Sequence, residues 1–448
     1  MASGIHFILC LMLLHYTVDA TFPPIAPDNN QRSNDWLVAY KPGTEGKATK
    51  RFLKEKGATV KQTLRVAGYD VDVVELPSGF ATNGAGSPSN PGRGPPPAVL
   101  QELLGKFTSE VQYVEPDGVM TIAVPSVDGG DIATTASDVG TKVADVVTTG
   151  FQASAIQSGL GTALWGLDRI DQVNLPLSTT YSYNDTAGQG VTVYVLDTGI
   201  LTTHAQFAGR SIPVQSYITI KQKGRTVTDL TDGNGHGTHC AGTVGGLTTG
   251  VAKKVSLVAV KVLSDSGSGS NSGIISGVNY VRTQCPAGSG RKCIISMSLG
   301  GGFSQAVNDA VNAADTAGIL VVVAAGNDGN TFNACSGSPA GATGAFTVGA
   351  TTITDAIATY SSNGACVDIL APGSSIYSAW YNSNSAYNTI SGTSMATPHV
   401  AGLAALYWAD GSYTVADLKA KLVATATPSI ITGNVGTSSN RLARYQQM

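Results

Sequence analysis

The sequence predicts an α/β protein, with a mostly parallel sheet flanked by helices, preceded by a small α+β domain. Three observations carry this. Short β-branched apolar runs alternate with helix-period runs beyond residue 160, the pattern of buried parallel strands with crossover helices. An earlier block, residues 36–123, has strands and helices of its own and is set off by a Gly/Ser/Thr/Asp/Ala-rich stretch at 124–160. The 448 residues are 42% hydrophobic and only 13% charged, against about 25% charged in a typical soluble domain. A full core is therefore available. Glycine, at 54 residues, is well above the usual share of about 7%, so the chain is turn-rich. A net charge of −3 and a pI near 6.1 argue against a nucleic-acid or anionic-membrane partner, which would want a basic face.

Residues 5–14, IHFILCLMLL, form an apolar run followed by Val18-Asp19-Ala20. The run is too short to cross a bilayer, which takes about 20 apolar residues. With a small-residue cleavage pattern behind it, it reads as a secretory signal peptide over 1–20. No later stretch is apolar for long enough to act as a membrane anchor. In the early block, Trp36–Tyr40 suits a strand, residues 45–57 a helix ended by Gly57, and the alternating Tyr69–Leu76 a half-buried strand. A Gly/Pro/Ser/Asn excursion follows at 77–97. Residues 98–107 suit a helix, and Val111–Glu115 and Val119–Ala123 suit strands. The order is read as β-α-β-β-α-β, a ferredoxin-like sandwich. The stretch 124–160 reads as a linker. Beyond it, Val191–Leu196, Val255–Val262, Ile294–Leu299 and Ile319–Ala325 suit parallel strands, and residues 272–283, 304–317 and 394–409 suit the helices between them.

Six cysteines are present, and Cys10 leaves with the signal peptide. An odd remainder in an oxidising compartment predicts two bridges and one free thiol. The close pairs Cys285–Cys293 and Cys335–Cys366 are the natural bridges, leaving Cys240. Asn184-Asp185-Thr186 is the one acceptor sequon for N-glycosylation.

Three segments carry chemistry. Val195-Leu196-Asp197-Thr198-Gly199 puts an acid at the end of a buried strand. Gly235-His236-Gly237-Thr238-His239-Cys240-Ala241-Gly242 opens a helix, and Ser391-Gly392-Thr393-Ser394-Met395-Ala396-Thr397-Pro398-His399 puts a serine at the start of another. A serine nucleophile needs a base to take its proton, and the base needs an acid to fix its tautomer. A fourth segment, Ala324-Ala325-Gly326-Asn327, follows a strand. Alone, such an Asp or Ser is usually a helix cap and such an Asn a turn. His236, His239 and Cys240 together raise zinc, but no second ligand cluster and no His-Glu-x-x-His motif accompanies them. His239 and His399 read as buried structural residues, and His204 as part of a surface loop near the acid.

On these four motifs the chain resembles the subtilisin-like serine proteases, in their proteinase K-like secreted branch. The resemblance implies a subtilisin-like catalytic domain over 161–448, an inhibitor-type propeptide over 21–123, and a processing region at 124–160. It implies Asp197, His236 and Ser394 as the catalytic triad and the Asn327 side chain as an oxyanion donor. Peptide substrate would be held as an added strand by Gly267, Ser268 and Gly269 on one side and Ser298, Leu299 and Gly300 on the other. The S1 pocket would lie between Ser298–Gly300 and Ala324–Gly326, uncharged stretches that suit an apolar or aromatic P1 residue. Asn271 stands where a tyrosine often walls the S4 pocket, which implies looser S4 selectivity. Structural calcium would be held by the carbonyls of Thr343 and Ala345 and the carboxylate of Asp368, a set of oxygen ligands; Thr343 replaces a proline common there. The resemblance also implies a free, buried Cys240 beneath the catalytic histidine and no organic cofactor. The expected product is a secreted, monomeric endopeptidase of broad specificity. It would act on protein and peptide substrates through an acyl-enzyme and mature by cutting itself, with its own propeptide as intramolecular inhibitor. The rival reading is a spent protease that keeps its propeptide and acts as a binding module.

Overall fold

The computed structural model describes residues 35–77, 96–123, 142–147, 154–222 and 225–447. The signal-peptide segment 1–20 and nearly all of the excursion at 77–97 lie outside these residues.

The small domain is one four-stranded antiparallel sheet, ordered Thr59–Val66, Tyr69–Glu75, Asp35–Tyr40, Val111–Pro116. Helices Lys47–Glu55 and Ala98–Lys106 cover one of its faces. The chain order is β-α-β-β-α-β, the order of the expected sandwich, although the elements read from the sequence placed one strand between the helices and two after the second. Thr59–Val66 is a strand that the pattern hides, because only Leu64 and Val66 of it are buried. Val119–Ile122, counted with this domain, leaves its sheet altogether. Period two divides the first strand between two cores. Val38 and Tyr40 face the domain's own helices, while Leu37 and Ala39 join the core of the large domain.

The large domain is built on a nine-stranded sheet. In spatial order its strands are Ser211–Ser216, Ser256–Lys261, Val191–Asp197, Lys292–Met297, Leu320–Ala324, Ala345–Thr351, Val367–Pro372, Arg441–Leu442 and Thr427–Pro428. Every neighbouring pair is parallel except the last. The strands alternate in the same way: Val191, Val193 and Val195 face one core, Tyr194 and Leu196 the other. Helices His236–Gly245 and Thr393–Asp410 lie in the first core, Asn271–Gln284 and Gln305–Thr316 in the second. Helix Thr393–Asp410 is buried all round from Thr393 to Trp408, which is why its residues show no polar face. The chain runs from Val191–Asp197 to one side of the sheet and later crosses to the other. Asp197 therefore ends a strand at the reversal of strand order, where open α/β sheets place their ligands.

Two readings are corrected here. The stretch taken as a linker, 124–160, holds strands Lys142–Val147 and Ser154–Ser158, which pair with each other and, through the second, with Thr180–Asn184. Ala155 and Gln157 are buried there, and Gln157 Nε2 donates to the Thr248 carbonyl at 3.1 Å. Polar Gly/Ser/Thr composition masks short strands whose partners lie elsewhere in the chain. Asn184 is also buried, with its amide donating to Asp410 at 2.6 Å. A glycan could reach that nitrogen only by breaking the contact, so the sequon sits in a closed site. Cys285–Cys293 and Cys335–Cys366 are bonded, and Cys240 is a buried free thiol.

Candidate active site

Strand Val191–Asp197 delivers Asp197 to the carboxyl edge of the sheet, fully buried. Its Oδ1 accepts from the Thr198 N–H at 2.7 Å and lies 2.8 Å from His236 Nδ1. His236 is the first residue of its helix. Gly235, before it, has φ 105°, and a Cβ there would lie 2.6 Å from the Trp380 ring, so only glycine turns the chain at this point. Asp232 locks the joint. It accepts from the N–H groups of Asn234, Gly235 and Thr238 and from the hydroxyls of Thr198 and Thr238. Asp232 ties the strand end to the helix start, and the sequence reading missed it. The signal was an acid four residues before the motif histidine.

Ser394 is the second residue of helix Thr393–Asp410. Proline at 398 has no N–H to give the Ser394 carbonyl. Two other donors reach that oxygen: Ser298 Oγ at 2.8 Å and Cys240 Sγ at 3.5 Å. One residue of the nucleophile motif thus explains why a serine and a thiol from two other elements converge behind it. Cys240 Sγ also lies 3.9 Å from His236 Nδ1, and burial pushes its thiol pKa up. It is an inert packing group rather than a nucleophile. Asp197, His236 and Cys240 are also the one group of three potential metal ligands among the described residues. The imidazole is already committed to the carboxylate and the thiol to a carbonyl.

Asn327 Oδ1 accepts from the Thr393 N–H and hydroxyl, both at 2.9 Å. Its Nδ2 is buried with no partner, as is His236 Nε2. Ser394 Oγ donates to the carbonyl of Ala123 at 2.6 Å and approaches that of Ser298 at 3.0 Å, so with the groove filled it makes no hydrogen bond to His236 Nε2.

Ala123 ends the strand that left the small domain. Val119–Ile122 runs antiparallel between Ser268–Ser270 and Leu299–Gly301 as the middle of a three-stranded sheet. The Ile122 N–H donates to Gly267 O at 2.9 Å and that of Ala123 to Ser298 O at 3.3 Å. Gly301 permits the fit. A Cβ there would lie 2.7 Å from the Val119 carbonyl and 2.8 Å from the Met120 sulfur. Met120 is wholly buried in the second core. Gly267, Ser268, Gly269, Ser298, Leu299 and Gly300 thus line one strand-shaped groove. Ala324 ends the strand leading to Gly326, whose N–H donates to the Thr393 hydroxyl, next to Ser394, at 3.2 Å.

Burial is the largest single influence on His236 and opposes its charge, but the Asp197 carboxylate and the neighbouring Cys240 together hold the imidazole pKa well above the ordinary 6.5. Burial drives His239 to about 3 and His399 to about 4, so both stay neutral. His204, read as a surface-loop residue, is instead buried, with Nε2 on the Ala386 carbonyl at 2.8 Å. Away from this site, Asp368 Oδ2 accepts from the Thr347 N–H at 2.7 Å, and burial raises its pKa. Thr343 lies on the exposed turn leading to Ala345, which begins the neighbouring strand.

Residues 188–444 match the Subtilase family, Peptidase S8. The chain belongs to this family. It is a serine protease of subtilisin-like fold. The extracellular serine proteinase of Thermus sp. is 51% identical over 296 residues, 66% of this chain and 68% of that protein. A cuticle-degrading serine protease of Arthrobotrys oligospora is 39% identical over 397 residues, 86% of each chain. The alkaline serine exoprotease A of Vibrio alginolyticus is 49% identical over 281 residues, and this chain spans half of that protein's length. Among solved structures, a cold adapted subtilisin-like serine proteinase superposes with a TM-score of 0.58 at 45% identity, covering 64% of this chain and all of that one. No described helix of this subtilase is long and apolar enough to cross a membrane.

Proposed function

We propose that this subtilase is made as a secreted precursor, cuts itself after Ala123, and is then held inactive by the segment ending there. The observation that carries the reading is Val119–Ala123 lying in the groove, with the Ala123 carbonyl at the Ser394 hydroxyl. A strand so placed is both the substrate of the first cut and, afterwards, a product that blocks the site.

In this mechanism Ser394 Oγ attacks the carbonyl carbon of the residue at P1 and passes its proton to His236 Nε2. Asp197 keeps the Nδ1 tautomer in place and stabilises the imidazolium. Asn327 Nδ2, left without a partner, and the Ser394 N–H donate to the oxyanion. His236 returns the proton to the leaving amine, and water repeats the sequence on the acyl-enzyme. The uncharged walls of the P1 pocket favour apolar or aromatic residues in a broad range of proteins. The apolar run at residues 5–14, read as a secretory leader, and the relative named as an extracellular serine proteinase support an extracellular site of action.

Asp368 is a buried carboxylate with one oxygen committed to Thr347, which fits a hard cation with oxygen ligands. Asp368 and the carbonyls of Thr343 and Ala345 would hold calcium, which supplies compensating charge to the buried carboxylate.

The deciding experiment is expression of the full chain beside Ser394→Ala. The wild type should release a catalytic fragment that hydrolyses casein, and the variant should accumulate uncut. Normal processing of Ser394→Ala in a host free of other proteases would refute self-cleavage.

A further inference from the structure

Upstream of Val119 the chain leaves the groove, and two acidic residues, Asp117 in the connection and Glu115 in the small-domain strand Val111–Pro116, land on two helix starts. Asp117, buried, accepts from the Ser272 N–H at 2.8 Å and the Ser272 hydroxyl at 2.6 Å. Glu115 accepts from the N–H groups of Gln305 at 2.9 Å and Ala306 at 3.2 Å, and from the Ser304 hydroxyl at 2.7 Å. Each helix has its own serine cap, but Ser270 accepts only from Gly273 and Ser304 only from Val307. The carboxylates take first-turn N–H groups that the caps leave over, at the positive end of the helix dipole.

Between the two cradles lies Asn271. Its N–H donates to the Gly118 carbonyl at 2.9 Å, which carries the groove's ladder one residue past Val119. The side chain is 5% exposed, and its Oδ1 has no partner. A Cβ on Gly118 would lie 3.1 Å from Asn271 Nδ2. All these donors belong to the catalytic body, and both carboxylates belong to the segment that the proposed cut removes.

We infer that the processed protease keeps these two carboxylate cradles as a binding site for substrate. The site takes polypeptides with acidic residues at the seventh and ninth positions before the bond cut, counting Ala123 as the first. The inference rests on the reading that Ala123 occupies the P1 position. The ladder through Asn271 feeds the chain toward the cradles. The fixed donors, one N–H at Asp117 and two at Glu115 with a serine hydroxyl at each, select carboxylate over amide because they offset part of the burial cost of the anion, while an amide NH2 would face an N–H.

The test uses the processed enzyme and three labelled peptides carrying a chromogenic amide at the carboxyl end: EPDGVMTIA, its neutral counterpart QPNGVMTIA, and the short VMTIA. The acidic peptide should show a KM lower than the neutral one by roughly 3- to 30-fold, with kcat unchanged and the gap narrowing in salt. Ser272→Pro removes the backbone donor and the hydroxyl at a first-turn position that tolerates proline. It should close part of the gap and leave VMTIA turnover as it was. Equal KM for the two long peptides would overturn the inference while leaving the hydrolytic reading intact. If none of the three is cut, the hydrolytic reading fails, and fluorescence anisotropy of the same peptides still decides the cradles: equal affinity overturns them.

Discussion

At the scale of single residues, the site is a set of partnered and deliberately unpartnered atoms. Asp197 holds His236 Nδ1, Thr393 holds Asn327 Oδ1, and the opposite ends of both side chains stay free. Because the triad acts as a unit, Ser394→Ala and His236→Ala should each abolish nearly all turnover, and the double variant should lose little more. Asn327→Ala should cost about 10²–10³ in kcat with a small change in KM. Comparable kcat in wild type and Asn327→Ala would remove it from the oxyanion site. The base must be neutral to accept a proton, and Asp197 raises its pKa. The acid limb of kcat/KM should therefore lie above pH 6.5, giving an enzyme most active in alkali; a limb at or below 6.5 would contradict the pairing. Ser298→Ala tests the proline argument. It leaves the Ser394 carbonyl with only a weak thiol donor, so stability should fall by about 1–3 kcal/mol. Urea unfolding in a Ser394→Ala background avoids autolysis and reads that loss.

At the scale of elements, the added strand at the start of the catalytic body changes where maturation can end. Ser154–Ser158 pairs along its whole length with Thr180–Asn184, and Ala155 packs in the first core beside Tyr181 and Tyr183. A trim near Ala155 would unpair this strand, so trimming after the first cut should stop upstream of it. Amino-terminal sequencing of the active enzyme should start between Val124 and Ser154, and a start beyond Ser158 would show the strand to be dispensable. The bridge Cys335–Cys366 joins residues 31 apart. By loop entropy it should contribute roughly 3–4 kcal/mol, and Cys285–Cys293, spanning 8, should contribute less. A paired Cys335→Ala/Cys366→Ala variant compared with Cys285→Ala/Cys293→Ala checks that order.

At the scale of the whole molecule, buried titratable groups set the acid limit. His239 and His399 sit at about 3 and about 4 when folded and near 6.5 when unfolded. Below 6.5 the unfolded chain binds more protons, so their contribution is full above that pH and is lost as pH falls toward 4 and 3. Asp171, raised to about 7 by burial, acts in the opposite sense, since its contribution is lost as pH rises through 7. Glu115, Asp117 and Asp368, also raised by burial, act as Asp171 does, so the share of the histidines is read by difference. Between pH 6.5 and 4 the melting temperature of Ser394→Ala/His399→Gln should fall less, or rise more, than that of Ser394→Ala. An identical pH dependence in the two proteins would show that His399 is protonated in place. Calcium at Asp368 would stabilise the folded state by mass action. Chelation should lower the melting temperature and speed autolysis more than it slows initial rates, and Asp368→Ala should mimic it. Indifference to both would exclude the ion there.

The sequence by itself determined the α/β class, the parallel core strands and the chain order of the motif residues. Each is written in local terms: alternation of apolar residues, a glycine at a turn, an acid or serine at an element's end. Even the Pro398 that frees the Ser394 carbonyl is legible in one heptapeptide. What only the tertiary structure decided concerns pairing, burial and hydrogen-bond partners. Thr59–Val66 looks like surface because its pairing with Tyr69–Glu75, not burial, makes it a strand. Ser154–Ser158 looks like linker until Thr180–Asn184 lies beside it. Asn184 looks open until Asp410 closes over it. Asp232 looks like one acid among thirty until five donors surround it. Burial and hydrogen-bond satisfaction are properties of the neighbourhood, and they leave little periodic trace in any one of the segments that build it.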